Sequence, residues 1–538
     1  MSSNSVPCVY PDYPLSDKAR DCIDAEIMSA ALAGLSMHVG DWHQVPNFTV
    51  APSSVVFTKS KPDGRVCSDQ SVPGCANESI PKDAYKIKLP GVVMLLRAIL
   101  MLGAGCFVGV VDVANAFGQL RLSPQDCLRT GRWWPKYAVP ILMSWPLFGF
   151  SSSPALFILI MNLVRWCSLA KMRRDGVQWD PGWGMWSYID DNFFVAPSFA
   201  EATVFANALM EAFDYFGMAA KRAKTVVGQS VKILGMIVNT VSLTVSVDKD
   251  KRDEVLALMK RLRRKKYLSL HELQSLAGQV LGCTSVLPPA YGRAFLCEIL
   301  YLIRKARPGV PVKLSKDMVA DLISLAAIMK DFSSRSFAHD LRMDNTQPVE
   351  ATMFLGSDAS GHGIAGVDHV SGLFVHQELP GHQQLGNLVN AFDLSNVECK
   401  GEREKISILL LECLAMAHIV LVASKGKSTQ TIVCNMDNSG LCQSWENGWS
   451  KRRAVGRIFR LLQWELMAAG NVLYLKHVPT DENILSDKLS RMRNIDYSSP
   501  VFARVAACLP GKQLHQRALS SPLRTLFNLL ATDLLPRE

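Results

Sequence analysis

Residues 187–195 read SYIDDNFFV, and no other stretch limits the possible folds as tightly. Two adjacent acids, Asp190 and Asp191, sit between Tyr188, Ile189, Phe193, Phe194 and Val195, all types that favour strands and burial. Acids at a strand-to-strand turn ordinarily mark a solvated hairpin tip. These flanks instead predict a buried hairpin. Buried carboxylates are costly unless they are paired or bound to a metal.

A third acid belongs to GVVMLLRAILMLGAGCFVGVVDVANAF, residues 91–117. The stretch is apolar, but Arg97 interrupts it and Gly103-Ala104-Gly105 cuts it in two. Neither half reaches the roughly 20 apolar residues that a spanning helix needs. The pattern predicts a short buried helix to Leu102, a glycine turn, a buried strand CFVGVVD ending on Asp112, and then a turn and helix. Taken alone, Asp112 reads as a helix N-cap. Taken with Asp190 and Asp191, it gives two strands that each deliver carboxylate at an end. Oxygen ligands converging at a sheet edge suit two Mg²⁺ ions, which activate an attacking hydroxyl and stabilise a leaving pyrophosphate.

The chain of 538 residues is too long for one core, and 49% hydrophobic content can fill several. A net charge of +10 favours an anionic partner. The 14 cysteines include no CxxC pair, which supports neither a zinc site nor a disulfide framework and suits a reducing compartment. The N-terminus MSSNSVPCVYPDYPLSDKARD lacks the basic-then-apolar order of a signal peptide. The expectation is an intracellular protein of cytoplasm or nucleus, not secreted and not in a membrane.

Five segments occur in a meaningful order: KPDGRVCSDQS, VVDVANAF, LFGFSSSPALF, SYIDD and AKTVVGQSVKILGM. Together they resemble the ordered polymerase motifs of reverse transcriptases, over about residues 50–300. GRVCSDQSVPGCANESIP (64–81) and LHELQSLAGQVLGCTSVLPPAYGRAFL (270–296) resemble DIRS-type retrotransposons most, with a weaker likeness to gypsy elements and pararetroviruses. The resemblance implies that Asp112, Asp190 and Asp191 are the metal ligands, Asp190 the stricter of the pair. It places Phe117 where an aromatic ring blocks a ribose 2′-OH, against the plainer reading of a core Phe. It places Phe148 and Gly149 beside the incoming nucleotide and template, and matches Lys224 to a lysine that protonates pyrophosphate, against a plain surface lysine. Lys61 and Arg65 resemble the basic residues that grip the triphosphate. The loop from Gly64 to Asp69 is shorter than the family's, so which of them grips stays open. Downstream, Lys260, Arg261, Arg263, Arg264, Lys265 and Lys266 cluster at a helix end, where a thumb would track phosphates; the bland alternative is a solvated face.

A second domain begins near residue 350. MFLGSDASGHGIAG reads as a strand ending on Asp358, KISILLLECLAMAHIVLVAS as an apolar helix holding Glu412, TIVCNMDNSG as a strand ending on Asp437, and HVPTDENILSDKLSRM places Asp487 at the start of a helical turn. Each acid alone has a cap or turn reading. The order strand-Asp, helix-Glu, strand-Asp, helix-Asp resembles the ribonuclease H fold, over about residues 350–493. In that family His477 falls at a mobile histidine that assists product release; a lone histidine before a loop is the plainer reading.

The expected fold class is α+β and multidomain: a right-hand polymerase of fingers, palm and thumb, followed by a ribonuclease H-like α/β domain. The expected boundaries are 1–50 for an N-terminal extension, 51–248 for fingers and palm, 249–349 for thumb and connector with KARPGVPVKLSKD as hinge, 350–495 for the ribonuclease H-like domain, and 496–538 for a tail without a motif. The resemblance implies an RNA-directed DNA polymerase with ribonuclease H activity from a retroelement. It implies two Mg²⁺ per active site, with Mn²⁺ as a substitute. Its partners would be an RNA template, a DNA primer, an RNA–DNA hybrid and dNTPs. An RNA-dependent RNA polymerase is the first alternative, opposed by Phe117 and the second acidic domain. A non-catalytic nucleic-acid-binding relic is the second, opposed by the presence of all seven carboxylates.

Overall fold

The computed structural model describes residues 7–58, 61–81, 87, 89–177, 184–284, 286–288, 291–307, 309–338, 351–378, 400–450, 452–493, 495–509 and 513–516. Pro308 in the expected hinge and residues 517–538 of the expected tail lie outside them. The chain divides into two compact units, Met1–Leu234 and Gly235–Glu538. Mixed sheets and helices build both, the α+β multidomain class expected.

At the centre of the first unit is a four-stranded antiparallel sheet in the order Val226–Gly228, Phe107–Asp112, Asp191–Ala196, Gly184–Tyr188. The 91–117 stretch breaks where its glycines predict. A helix runs Val92–Leu102, Gly103 and Gly105 take φ of 95° and 86°, and the strand begins at Phe107. Such left-handed angles are open to glycine at little cost. Phe193, Phe194 and Val195 are fully buried, worth roughly 1.5–3 kcal/mol each, which offsets the cost of holding acids at the strand ends. Gly109 lies opposite Phe194, and a Cβ there would stand 2.0 Å from the ring, so glycine lets the ring cross the strand.

Helices Ser153–Arg174 and Phe199–Tyr215 bury Phe157, Met161, Val164, Phe205 and Leu209 in one core with Val111 and Phe194 of the sheet. By length and apolarity Ser153–Arg174 is, among the described residues, the one helix able to cross a membrane. Here it is the core helix of this layer, with Leu159, Leu163 and Trp166 on its exposed side. A five-stranded sheet and the hairpin Ser53–Thr58/Lys61–Ser68 complete the unit.

The second unit holds helices Lys249–Leu262, Leu270–Thr284, Cys297–Lys305 and Lys316–Asp331 together with a six-stranded sheet. That sheet is ordered Val472–His477, Thr431–Met436, Met353–Ala359, Gly363–Asp368, Leu373–Glu378, His515–Gln516. Met353–Ala359, Gly363–Asp368 and Leu373–Glu378 form an antiparallel meander, while Thr431–Met436 and Val472–His477 add in parallel. The apolar helix Lys400–Ala423 packs on the first two strands of the meander. Tyr291, 1% exposed, reaches into this domain: its hydroxyl accepts from Leu473 N and its ring meets Trp445 edge-on. Arg460 pairs with the buried Asp321, and Gly292 N donates to Gln463. Beyond residue 495, the helix Pro500–Ala506 packs Phe502 and Val505 against Phe374, Leu485 and Leu489.

Candidate nucleic-acid-processing sites

Tyr188 pairs with Asp191 across a two-residue turn of Ile189 and Asp190, so the hairpin tip is where the acids fall. Ile189 has φ 55°, a left-handed angle that a β-branched side chain adopts at a cost on the order of 1–3 kcal/mol. On the other side Asp191 is in register with Asp112. The backbone oxygen of Asp190 accepts from Val113 N at 3.2 Å, which fixes the tip against the strand carrying Asp112. Burial, then the charges of Asp190 and Asp112, push the Asp191 carboxyl up to about 6, and Lys221 opposes them.

Among the described residues, the cation at this set is Lys221. Its Nζ lies 2.7 Å from Asp112 Oδ2, and its backbone N donates to Asp112 O at 2.8 Å. An isolated bridge between Val113 and Ala220 sets this approach. Lys224, the lysine singled out by motif, is exposed and has no carboxylate partner among the described residues. Only tertiary pairing distinguishes the two lysines.

The turn after Asp112 leads to a short 3-10 helix, Ala116–Gln119, in place of the expected helix. Asn115 at φ 45° breaks the helical path, and the Gln119 side chain binds Ala219 N and O instead. Phe117 is 7% exposed, its ring 4.9 Å from Phe148 and 5.7 Å from Phe157. Arg65 caps the same stack, 4.8 Å from the Phe148 ring, in cation–π contact. Lys61 is exposed at the start of its strand.

Gly149, at φ 126°, leaves no room for a side chain: a Cβ would stand 1.7 Å from Ser68 O. Phe148 O accepts from Ser68 N at 2.7 Å. Asn77 completes the clamp, donating to Gly149 O at 2.8 Å and accepting from Ser151 N at 2.8 Å. The segments 64–81 and 147–157 are thus one unit. Asn77 is a member that its sequence, one of three polar residues in CANES, did not announce.

In the second unit the four acids fall on strand, helix, strand end and helix, in the expected order. Asp358 is the second-last residue of Met353–Ala359, Glu412 lies inside Lys400–Ala423, Asp437 follows Thr431–Met436, and Asp487 sits in Ile484–Ser490. Ligand atoms of Asp358, Glu412 and Asp437 lie within 4.8 Å of one another, the one such trio among the described residues. Burial above all, then Asp358 and Asp437, push Glu412 up to about 9; its Oε2 is buried without a hydrogen-bond partner. Burial also raises Asp358 to about 6, against a 2.6 Å hydrogen bond from Ser490 Oγ. Thr480 donates to Asp437 at 3.0 Å. Arg491 Nε and a terminal nitrogen meet Asp487 Oδ1 at 2.8 and 2.7 Å. Ser490 and Arg491 follow Asp487 in the LSR turn, and only the fold reveals what they bind. His477, exposed, ends the strand beside Met436, next in sequence to Asp437.

No family model matches the sequence, and none of the curated proteins does. Among solved structures, similarity is found to the foamy viral protease-reverse transcriptase. The dRH form, in complex with ds DNA, matches at TM-score 0.49 and 14% identity, over 89% of this chain and 73% of that one. The form with an RNA/DNA hybrid matches at TM-score 0.49 and 14% identity, over 93% and 58%. The form with dsDNA matches at TM-score 0.46 and 14% identity, over 89% and 88%. Likenesses of this depth assign no family, so the functional reading rests on the residues themselves.

Proposed function

We propose that this chain is an RNA-directed DNA polymerase with a ribonuclease H activity, from a retroelement of DIRS type. The observation that carries the reading is that two separate compact units each gather carboxylates at strand ends, in the order of the two enzymes' motifs. The DIRS-type part rests on the segments 64–81 and 270–296 alone.

Both sets fit divalent cations by their donors, which are all carboxylate oxygens. At the second set, the unpartnered Oε2 of Glu412 and the three acids within 4.8 Å form a cluster of negative charge that a cation would balance. Asp358, Glu412, Asp437 and Asp487 would hold the ions there, and Asp112, Asp190 and Asp191 at the first set. Bound Mg²⁺ would activate the attacking oxygen and stabilise charge on the leaving one.

This chain's own residues supply the rest. Burial of the hairpin fixes Asp191 opposite Asp112 and holds Asp190 in the turn beside it. The Gly149 clamp presents Phe148, backed by Phe117, with Arg65 on its face. Lys221 places an ammonium at Asp112. Ser490 and Thr480 orient Asp358 and Asp437. The substrates in this reading are an RNA template, a DNA primer and dNTPs at the first site, and an RNA–DNA hybrid at the second.

The test is extension of a DNA primer on an RNA template with Mg²⁺, dNTPs against rNTPs, together with cleavage of RNA in a hybrid. Asp190→Asn should abolish extension and spare cleavage, and Asp437→Asn should do the reverse. Near-normal extension by folded Asp190→Asn refutes the first assignment. Loss of both activities in folded Asp437→Asn refutes the separation of sites.

A further inference from the structure

Beside the second acid set lies a cavity of about 750 Å³ that no motif accounts for. Its walls are the turn at His362, the end of the helix bearing Asp487, and the helix Pro500–Ala506. Four cations line it, Lys488, Arg491, Arg493 and Arg504, against the single carboxylate of Asp496. Arg491 is engaged with Asp487, so the cavity shares a wall with the acid set. Asp496 is turned onto Ser498, whose N and Oγ donate to Oδ1 at 2.9 and 2.6 Å. Arg493 donates to His362 Nδ1 at 3.0 Å, and Lys488 reaches only the sulfur of Cys508 at 3.4 Å. Thus Lys488, Arg493 and Arg504 have no carboxylate partner among the described residues.

A cavity this size far exceeds the roughly 30 Å³ of a water, and exceeds what an isolated small anion fills. Its floor includes Met492 and the buried Val505, apolar surface suited to the carbon face of a sugar rather than to a bare ion. Unpaired cations above an apolar floor, continuous with an acid set, match an extended polyanion with carbon between its charges.

We infer that this cavity binds the phosphodiester backbone of the nucleic-acid strand that is presented to the second acid set, a few nucleotides from the bond facing Asp358. The inference rests on the nuclease reading for the identity of that strand. The acid set repels the strand wherever cations do not neutralise it. Lys488, Arg493 and Arg504 hold the strand on one side, so its register over the acids is set by contacts outside them.

The experiment is binding of a labelled RNA–DNA hybrid to the full chain over a range of salt, in chelator to prevent cleavage. The proteins are wild type, Arg493→Ala/Arg504→Ala and Arg493→Lys/Arg504→Lys. Each phosphate contact contributes about 0.9 to the slope of log affinity against log salt. The alanine pair should therefore lower the slope by about 1–2 and weaken binding roughly tenfold at low salt, with the lysine pair close to wild type. If the alanine pair does not fold, Arg504→Ala alone should lower the slope by about 1. An unchanged slope in a folded variant overturns the inference, whether or not the wild type cuts the hybrid. A lowered slope with a wild type that never cuts keeps the cavity as a backbone site and removes the nuclease reading.

Discussion

Replacing Glu412 by Gln separates what the buried carboxyl costs the fold from what it does for a cation. In the fold its value is pushed from 4.5 up to about 9, chiefly by burial and then by Asp358 and Asp437. The folded protein thus keeps this proton where the unfolded chain has lost it. The associated stability is fully present below the unfolded value and is lost as pH rises toward the folded one. One proton of difference is worth about 1.4 kcal/mol per pH unit, so from pH 5 to pH 8 the ceiling is about 4 kcal/mol. Asp358, also raised, shares part of the titration and lowers what is assigned to Glu412 alone. The amide of Gln never ionises. In chelator, the thermal midpoint of the wild type should fall from pH 5 to pH 8 by several degrees more than that of Glu412→Gln, about 2–4 °C per kcal/mol for domains of this size. Adding Mg²⁺ at pH 8 should raise the wild-type midpoint and leave the variant nearly still, since a bound cation stabilises only the state that holds it. Parallel pH curves for the two proteins in chelator would show that Glu412 is already ionised, and the argument from its burial would fail.

Gly149→Ala adds a Cβ 1.7 Å from Ser68 O at φ 126° and should cost at least about 1–3 kcal/mol of backbone strain. Melting and primer extension should both fall, and an unaltered pair would deny the clamp. Lys221→Ala should slow extension by about tenfold or more while Lys224→Ala stays near wild type, read as kcat/KM for a dNTP; the opposite ranking would restore the lysine chosen by motif. Phe117→Val empties part of a buried aromatic stack and should cost on the order of 2–4 kcal/mol in stability. If the ring also excludes a 2′-OH, the same variant raises rNTP use relative to dNTP use, and an unchanged ratio in an active variant makes Phe117 core only.

The positions of the seven acids could be read from the chain because each is local. An acid that ends an apolar run marks a strand end wherever the strand later pairs, and two such runs either side of Asp190 and Asp191 dictate a hairpin. The glycines after Leu102 punctuate helix and strand by backbone geometry alone. What could not be read depends on partners far away in sequence. Lys221 rather than Lys224 meets Asp112 because Val113 bridges Ala220. Tyr291 fills a hole beside Leu473, 182 residues distant, and nothing in PPAYGRAF marks that residue for burial. Phe502 and Val505 look like loose apolar positions until Phe374 and Leu489 are placed beneath them. The helix expected after Asp112 failed on one residue, Asn115, whose left-handed angle no periodicity reveals.

The two acid sets solve the same problem differently, and the difference has a kinetic consequence. At the first, the ammonium of Lys221 compensates Asp112, and Asp191 is raised to about 6. At the second, no cation among the described residues touches Glu412, and the burial of charge is relieved by keeping a proton, up to about 9. Loading a divalent ion at the first set displaces an ammonium and needs Asp191 ionised, which neutral pH already provides. Loading the second must expel the Glu412 proton, so its apparent affinity rises with pH across the neutral range. Hybrid cleavage at limiting Mg²⁺ should therefore climb from pH 6.5 to pH 8.5, by up to about tenfold per unit where one proton is released, while primer extension stays comparatively flat. Raising Mg²⁺ should shift the cleavage profile toward lower pH, because the ion competes with the proton for the same oxygen. Both activities can be measured on one preparation of the full chain, which removes differences in folding and concentration. Profiles that rise in parallel, or a cleavage profile that does not move with Mg²⁺, would mean that Glu412 is not the proton-holding ligand that the geometry makes it.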